Sequence, residues 1–134
     1  MEVKVFTENG RVPVTVMHVD GNIDSSTAEA FLAKTDEVVK NGARYILIDL
    51  SHAKFVSSAG LRAINDIFNR LRALNPDANL SEEEIKKGIS AGTYKSPHLK
   101  LLNLSENART SFEMSGFDMF IETYTDMKTA VASF

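Results

Sequence analysis

Apolar positions recur along this chain in two rhythms, one of strands and one of helices. Val12 to Val19 (V-P-V-T-V-M-H-V) alternates valine with other residues, the period of a strand with two different faces. Val3 to Phe6 is a shorter candidate, and Glu8-Asn9-Gly10 between them signals a turn, so the pair predicts a hairpin. After polar Asp20 to Ser25, Ser26-Thr27-Ala28-Glu29 fits a capping box with Ser26 as cap. Ala28, Phe31, Leu32, Thr35, Val38 and Val39 then follow at helical spacing, and Asn41-Gly42 predicts the end of that helix. Tyr45 to Leu50 is nearly all apolar, as expected of an interior strand covered on both faces. Leu61, Ile64, Ile67, Phe68, Leu71 and Leu74 mark a second helix that stops before Pro76. Leu99 to Leu104 predicts another strand. Ser105 caps a third helix carrying Ala108 and Phe112 and closed by Ser115-Gly116. Phe120 to Glu122 predicts a last short strand. Met127, Ala130, Val131 and Phe134 predict a final helix capped by Thr125.

Residues 75–97 break this rhythm, because a connection between a helix and the next strand usually takes about 2–6 residues. Ser81 to Glu84 fits a second capping box and predicts a short helix over 82–89, weakened by Gly88. Few large apolar residues lie in the segment, so it reads as a peripheral insertion, with Ile85, Ile89 and Tyr94 able to pack back. The order is β-β-α-β-α-β-α-β-α, an α/β class with a partly parallel sheet. The length, 134 residues, suits one domain over 1–134 with an insertion at about 75–97.

Composition narrows the function. The net charge of −3 gives no basic excess for nucleic acid. Cysteine is absent, which excludes disulfides, thiolate metal sites and thiol catalysis. The start, Met1 to Phe6, lacks a signal-peptide layout, and no apolar run nears the roughly 20 residues needed to span a bilayer. A cytoplasmic protein without a membrane span, needing no metal or cofactor to fold, is expected.

The stretch from Asp49 to Leu61 (D-L-S-H-A-K-F-V-S-S-A-G-L) carries the most chemistry. A buried strand ends, a loop follows, and a helix opens at Ser57 and Ser58, with Gly60 in its first turn. The first N–H groups of a helix have no internal partner, and the helix dipole is positive there. A serine there can act as a plain N-cap, or it can carry a phosphate that those groups hold.

Four segments in order resemble the STAS domain of bacterial anti-sigma factor antagonists. They are G-N-I-D at Gly21 to Asp24, T-A-E-A-F from Thr27, I-D-L-S at Ile48 to Ser51, and F-V-S-S-A-G-L-R at Phe55 to Arg62. The resemblance implies a STAS fold, a small mixed β-sheet with helices packed mainly on one face. It also implies a non-enzymatic switch. Such proteins bind an anti-sigma factor that is also a serine kinase of the HPK-type ATPase fold, and so release a sigma factor for transcription. The kinase phosphorylates a serine at the start of the second helix, and a serine phosphatase reverses it. By motif position the phosphorylated residue is Ser58, with Ser57 the alternative. Asp24, Ser57, Ser58 and Gly60 would form the partner-binding surface. Ser57 stands where the family often has aspartate, and Ala59 where it often has serine or threonine. A scaffold of the same fold without a phosphoswitch, stressosome-like or transporter-associated, is the alternative function.

Other chemistries fit less well. A serine hydrolase would place a glycine two residues before the nucleophile, and Ser57-Ser58-Ala59-Gly60 has none there. A phosphate-binding loop fails because Tyr94 stands where the second glycine belongs. A receiver domain would use Asp49, which reads instead as the residue that orders the following loop. Glu82 to Glu84 is a solvated helix start rather than a ligand set. Among the histidines, His18 falls in a strand and His98 at the start of one.

Overall fold

The computed structural model describes residues 1–75 and 80–134. Its strands are β1 (Glu2–Asn9), β2 (Pro13–Asp20), β3 (Ile46–His52), β4 (Leu99–Leu102) and β5 (Glu122–Tyr124). Its helices are α1 (Ala28–Lys40), α2 (Ser58–Leu74), α3 (Glu82–Ala91), α4 (Glu106–Met114) and α5 (Met127–Ala132), with a 3₁₀ turn at Phe117–Met119. The strands form one sheet in the order β1-β2-β3-β4-β5. The β1–β2 hairpin is antiparallel and every other pair is parallel. A mixed sheet of this kind is the one expected.

The chain adds each parallel strand beside the last. Crossovers of one hand then put the connecting helices on one face. That face holds the larger core. Met17, Val19, Ile46, Ile48, Leu50, Leu99 and Leu101 of the sheet meet Phe31 of α1, Leu61, Ile64, Ile67 and Leu71 of α2, and Phe112 of α4. On the other face Val14, Val16, Leu47 and Leu102 are covered by Ala130 and Val131 of α5. Ile46 to Leu50 is therefore buried from both sides, which is why its sequence is almost unbroken in apolar residues. Arg70 of α2 joins the two large helices, bonding Asp36 of α1 at 2.6 Å and Asp66 at 3.2 Å.

Several local expectations need correction. The Ser26–Glu29 capping box does not form: Thr27 precedes α1 without a side-chain cap, and the Ser26 N–H goes to Asp24. Asp24 takes both the N–H and the hydroxyl of Ser26, so neither is left for the box. At α5 the cap is Asp126, not Thr125, its charged carboxylate accepting from the Thr129 N–H at 2.9 Å. β4 ends at Leu102 because Asn103 turns to a left-handed φ of 58°, which asparagine tolerates. The last strand is Glu122–Tyr124, and Phe120 and Ile121 before it enter the main core.

The Ser81–Glu84 capping box is present in both directions, and α3 runs on to Ala91, where Gly92 closes it at φ 74°. Pro76 to Asn79, part of the expected insertion, lie outside the described residues. The rest of that segment is not detached. Ile85 is buried, and Ile89 and Tyr94 pack on the main core, with the Tyr94 ring edge-on to Phe68.

Candidate functional site

The loop after β2 and the loop after β3 leave the same end of the sheet, and one short parallel bridge, Ile23 to Val56, joins them. The Ile23 N–H donates to the Phe55 carbonyl at 3.1 Å, and the Ser57 N–H to the Ile23 carbonyl at 2.9 Å. The Phe55 N–H also donates to Asn22 Oδ1 at 3.2 Å. Asp24 therefore follows Ile23 on one strand of the bridge, and Ser57 and Ser58 follow Val56 on the other. The two most informative sequence segments meet here.

Gly60 explains how closely they meet. A Cβ on this residue would lie 2.5 Å from the Ile23 carbonyl oxygen and 2.9 Å from a Val56 methyl. No side chain larger than hydrogen fits without moving the loop backbone. Gly60 is buried, and its lack of a side chain lets α2 approach the loop this closely.

The two serines at the start of α2 differ in what their hydroxyls do. Ser57 is the N-cap, with extended backbone, and its Oγ accepts from the Gly60 N–H at 3.3 Å. Ser58 is the first helical residue and is exposed. Its hydroxyl has no hydrogen bond among the described residues, and neither do the Ser58 and Ala59 N–H groups. Arg62 lies one turn further on the same helix face and is also exposed.

Asp24 is committed to its own loop. Oδ1 accepts from the Ser26 N–H at 2.9 Å and from Ser26 Oγ at 2.6 Å, and Thr27 Oγ1 lies at 3.3 Å. The Ser26 hydroxyl above all, then the Ser26 N–H, holds its carboxyl below the ordinary value. Thr27 closes the turn, accepting from the Asp24 N–H and donating to the Asn22 carbonyl. On the far side, Ser105 Oγ donates to the Lys54 carbonyl at 2.8 Å and also caps α4. Phe55, half exposed, projects between these anchored segments.

Behind the loops, on the α5 face of the sheet, Asp49 accepts from His18 Nδ1 at 2.9 Å and from the Ser51 N–H at 3.0 Å. Burial is the largest single influence on Asp49 and opposes its charge. The His18 and Ser51 hydrogen bonds together outweigh burial, so its carboxyl sits below the ordinary value. The other ring nitrogen of His18, Nε2, lies in hydrogen-bond contact with His52 Nδ1 at 2.9 Å. The His52 carbonyl accepts from the Gly21 N–H, so this row of side chains ends at the start of the Asp24 loop. Asp49 orders its loop as expected. The links from Asn22 to Phe55 and from His18 to His52 escaped the sequence reading because they join residues more than thirty positions apart. Among the described residues, no group of three or more His, Cys, Asp or Glu side chains is arranged to hold a metal ion.

Comparison with known proteins agrees with this architecture. BtrV of Bordetella bronchiseptica, whose name assigns it to the anti-sigma factor antagonists, is 26% identical over 116 residues, covering 87% of this chain and 82% of its own. An anti-sigma factor antagonist from Mycobacterium paratuberculosis superposes with a TM-score of 0.68 at 20% identity, covering 98% of this chain and 93% of its own. The Bacillus cell fate determinant SpoIIAA, solved in its phosphorylated form, superposes with a TM-score of 0.62 at 18% identity, covering 97% and 96%. These two likenesses concern the fold. The family described as the STAS domain matches residues 4–80, which contain both loops and the whole of α2, and the chain belongs to that family.

Proposed function

We propose that this chain is a cytoplasmic anti-sigma factor antagonist that binds an anti-sigma serine kinase through the surface around Asp24 and Ser58. Phosphorylation of Ser58 switches that binding off, and a phosphatase restores it. The observation that carries this reading is the division of labour between the two serines. Ser57 spends its lone pair on the Gly60 N–H as the cap of α2, whereas Ser58 presents an exposed hydroxyl with no partner among the described residues. Only the second is free to attack a γ-phosphate without uncapping the helix.

The same location accounts for a switch that leaves the fold intact. A phosphate adds a charge of about −1.5 to −2 where unpaired N–H groups and the helix dipole favour it. Arg62, one turn on, offers a cation on the same face. In a complex the same charge would have to be desolvated. An unpaired charge at an interface costs several kcal/mol, and a loss of about 3 kcal/mol weakens binding more than 100-fold. Support also comes from the relatives: one with an antagonist's name spans most of this chain, and a protein of the same fold has been solved phosphorylated.

The test is phosphosite mapping after incubation with ATP and the serine kinase that copurifies with the chain from its native cell. Phosphate on Ser58, absent from Ser58→Ala and retained in Ser57→Ala, is the expected result. Phosphate on Ser57 alone would move the site. A stable complex with no modification of either serine would favour a STAS scaffold without a phosphoswitch.

A further inference from the structure

We propose that the chain forms a two-fold symmetric dimer through the free edge of β1, joining two sheets into one of ten strands. This inference does not depend on phosphorylation of Ser58. β1 is an edge strand of eight residues that pairs with β2 on one side only. Strands average about five or six residues, and native edges are usually shortened, bulged or broken by proline. β1 is neither short, bulged nor broken, since its register against β2 is continuous from Glu2 to Asn9 and it contains no proline; the edge protection it carries is charge, at Glu2, Lys4 and Glu8. The opposite edge, β5, is only three residues long and offers no comparable template.

Two large apolar side chains sit on this edge in the open, Val5 at 39% and Phe6 at 41% exposure. Phe6 is on the α5 face beside Val16, and Val5 on the other face beside Met17. Lys4 and Glu8 flank Phe6 on its own face, and neither has an ion-pair partner among the described residues.

The occupant follows from the charge pattern. In an antiparallel pair related by a two-fold axis perpendicular to the sheet, one residue faces its own copy and the others pair symmetrically about it. Centring on Lys4 sets Lys4 against Lys4. Centring on Val5 sets Glu2 against Glu8. Centring on Phe6 sets Lys4 against Glu8 at both ends, Phe6 against Phe6 between them, and Val5 against Thr7 on the opposite face. Opposite charges and stacked rings coincide in that one register, so the edge is complementary to itself. The contact is one strand wide, smaller than a standard interface, and the dimer should therefore be reversible at micromolar concentration.

The whole chain provides its own test, because it lacks cysteine. Sedimentation of the unmodified protein across about 1–200 µM should show a monomer–dimer equilibrium. Lys4→Glu and Glu8→Lys should each weaken it at least tenfold, and the double swap should restore it. Both residues are exposed, and circular dichroism will show that the variants fold. Under mild oxidation Phe6→Cys should cross-link to its copy, while Val5→Cys and Thr7→Cys should not. A monomer across the whole range overturns the proposal. So does a dimer unmoved by either charge reversal, or cross-linking through position 5 or 7 rather than 6.

Discussion

Gly60 and the two serines before it do different jobs within four residues. Any Cβ at position 60 meets the Ile23 backbone at 2.5 Å, so Gly60→Ala must push α2 away from the Asp24 loop. We expect it to cost about 1–3 kcal/mol in thermal unfolding and to weaken partner binding, since both halves of the surface separate. Ser57→Ala removes the cap and should cost about 1 kcal/mol while leaving Ser58, the proposed phosphoacceptor, in place. Asp49 governs a pH dependence. Its folded carboxyl lies below the ordinary value of 3.8, so its contribution to stability is fully present above that pH. That contribution is lost as pH falls through the lower folded value. Asp49→Asn should therefore be less stable than the wild type at pH 7 by about 1–3 kcal/mol, because His18 and the Ser51 N–H lose their charged acceptor. The gap should narrow below about pH 4 in denaturant titrations run across that range. A gap that stayed constant down to pH 2 would show that the carboxylate charge is not what Asp49 contributes.

Elements were legible in the sequence where one periodicity dominated. β2, the apolar body of β3 and the long amphipathic α2 all stand where their patterns put them, because burial on a fixed face dictates the spacing. Boundaries were less legible where two polar residues competed for one cap. Ser26 and Thr125 have the right side chains, but Ser26 bonds Asp24 and leaves α1 without a side-chain cap, while Asp126 caps α5. The attachment of α5 was not legible at all. Besides Ala130 and Val131 on the second patch it uses Lys100, which sits inside β4 with its ammonium 2.8 Å from the Ser133 carbonyl and 3.4 Å from Glu122. The same ammonium lies over the rings of Phe134 and Tyr124. A lone lysine among leucines says nothing of a helix thirty residues later. Lys100→Met should leave the sheet folded but speed hydrogen exchange in α5, and should cost about 1–3 kcal/mol overall. At the insertion, Ile85→Ala should cost about 2–4 kcal/mol in denaturant unfolding, because that side chain is buried. A cost near zero would show that the Ile85 contact adds nothing to the stability of the fold.

At the scale of the whole molecule, the sheet serves to bring two loops to one end and hold them still. The Ile23–Val56 bridge, the Ser105 link to Lys54 and the Asp49–His18–His52 row each fix those loops from a different side. The sequence motifs named the residues of this end. Their separate roles became visible only in three dimensions, since a cap and a free hydroxyl look identical as neighbouring serines. A rigid platform suits a switch that works by adding charge rather than by refolding. The most direct measurement is calorimetric binding of the partner kinase to the wild type, Ser58→Asp and Ser58→Ala, with folding checked by thermal unfolding. Ser58→Ala should bind like the wild type, and Ser58→Asp should bind about 100-fold more weakly while melting within a few degrees of it. Equal affinity of all three for the kinase would contradict the account.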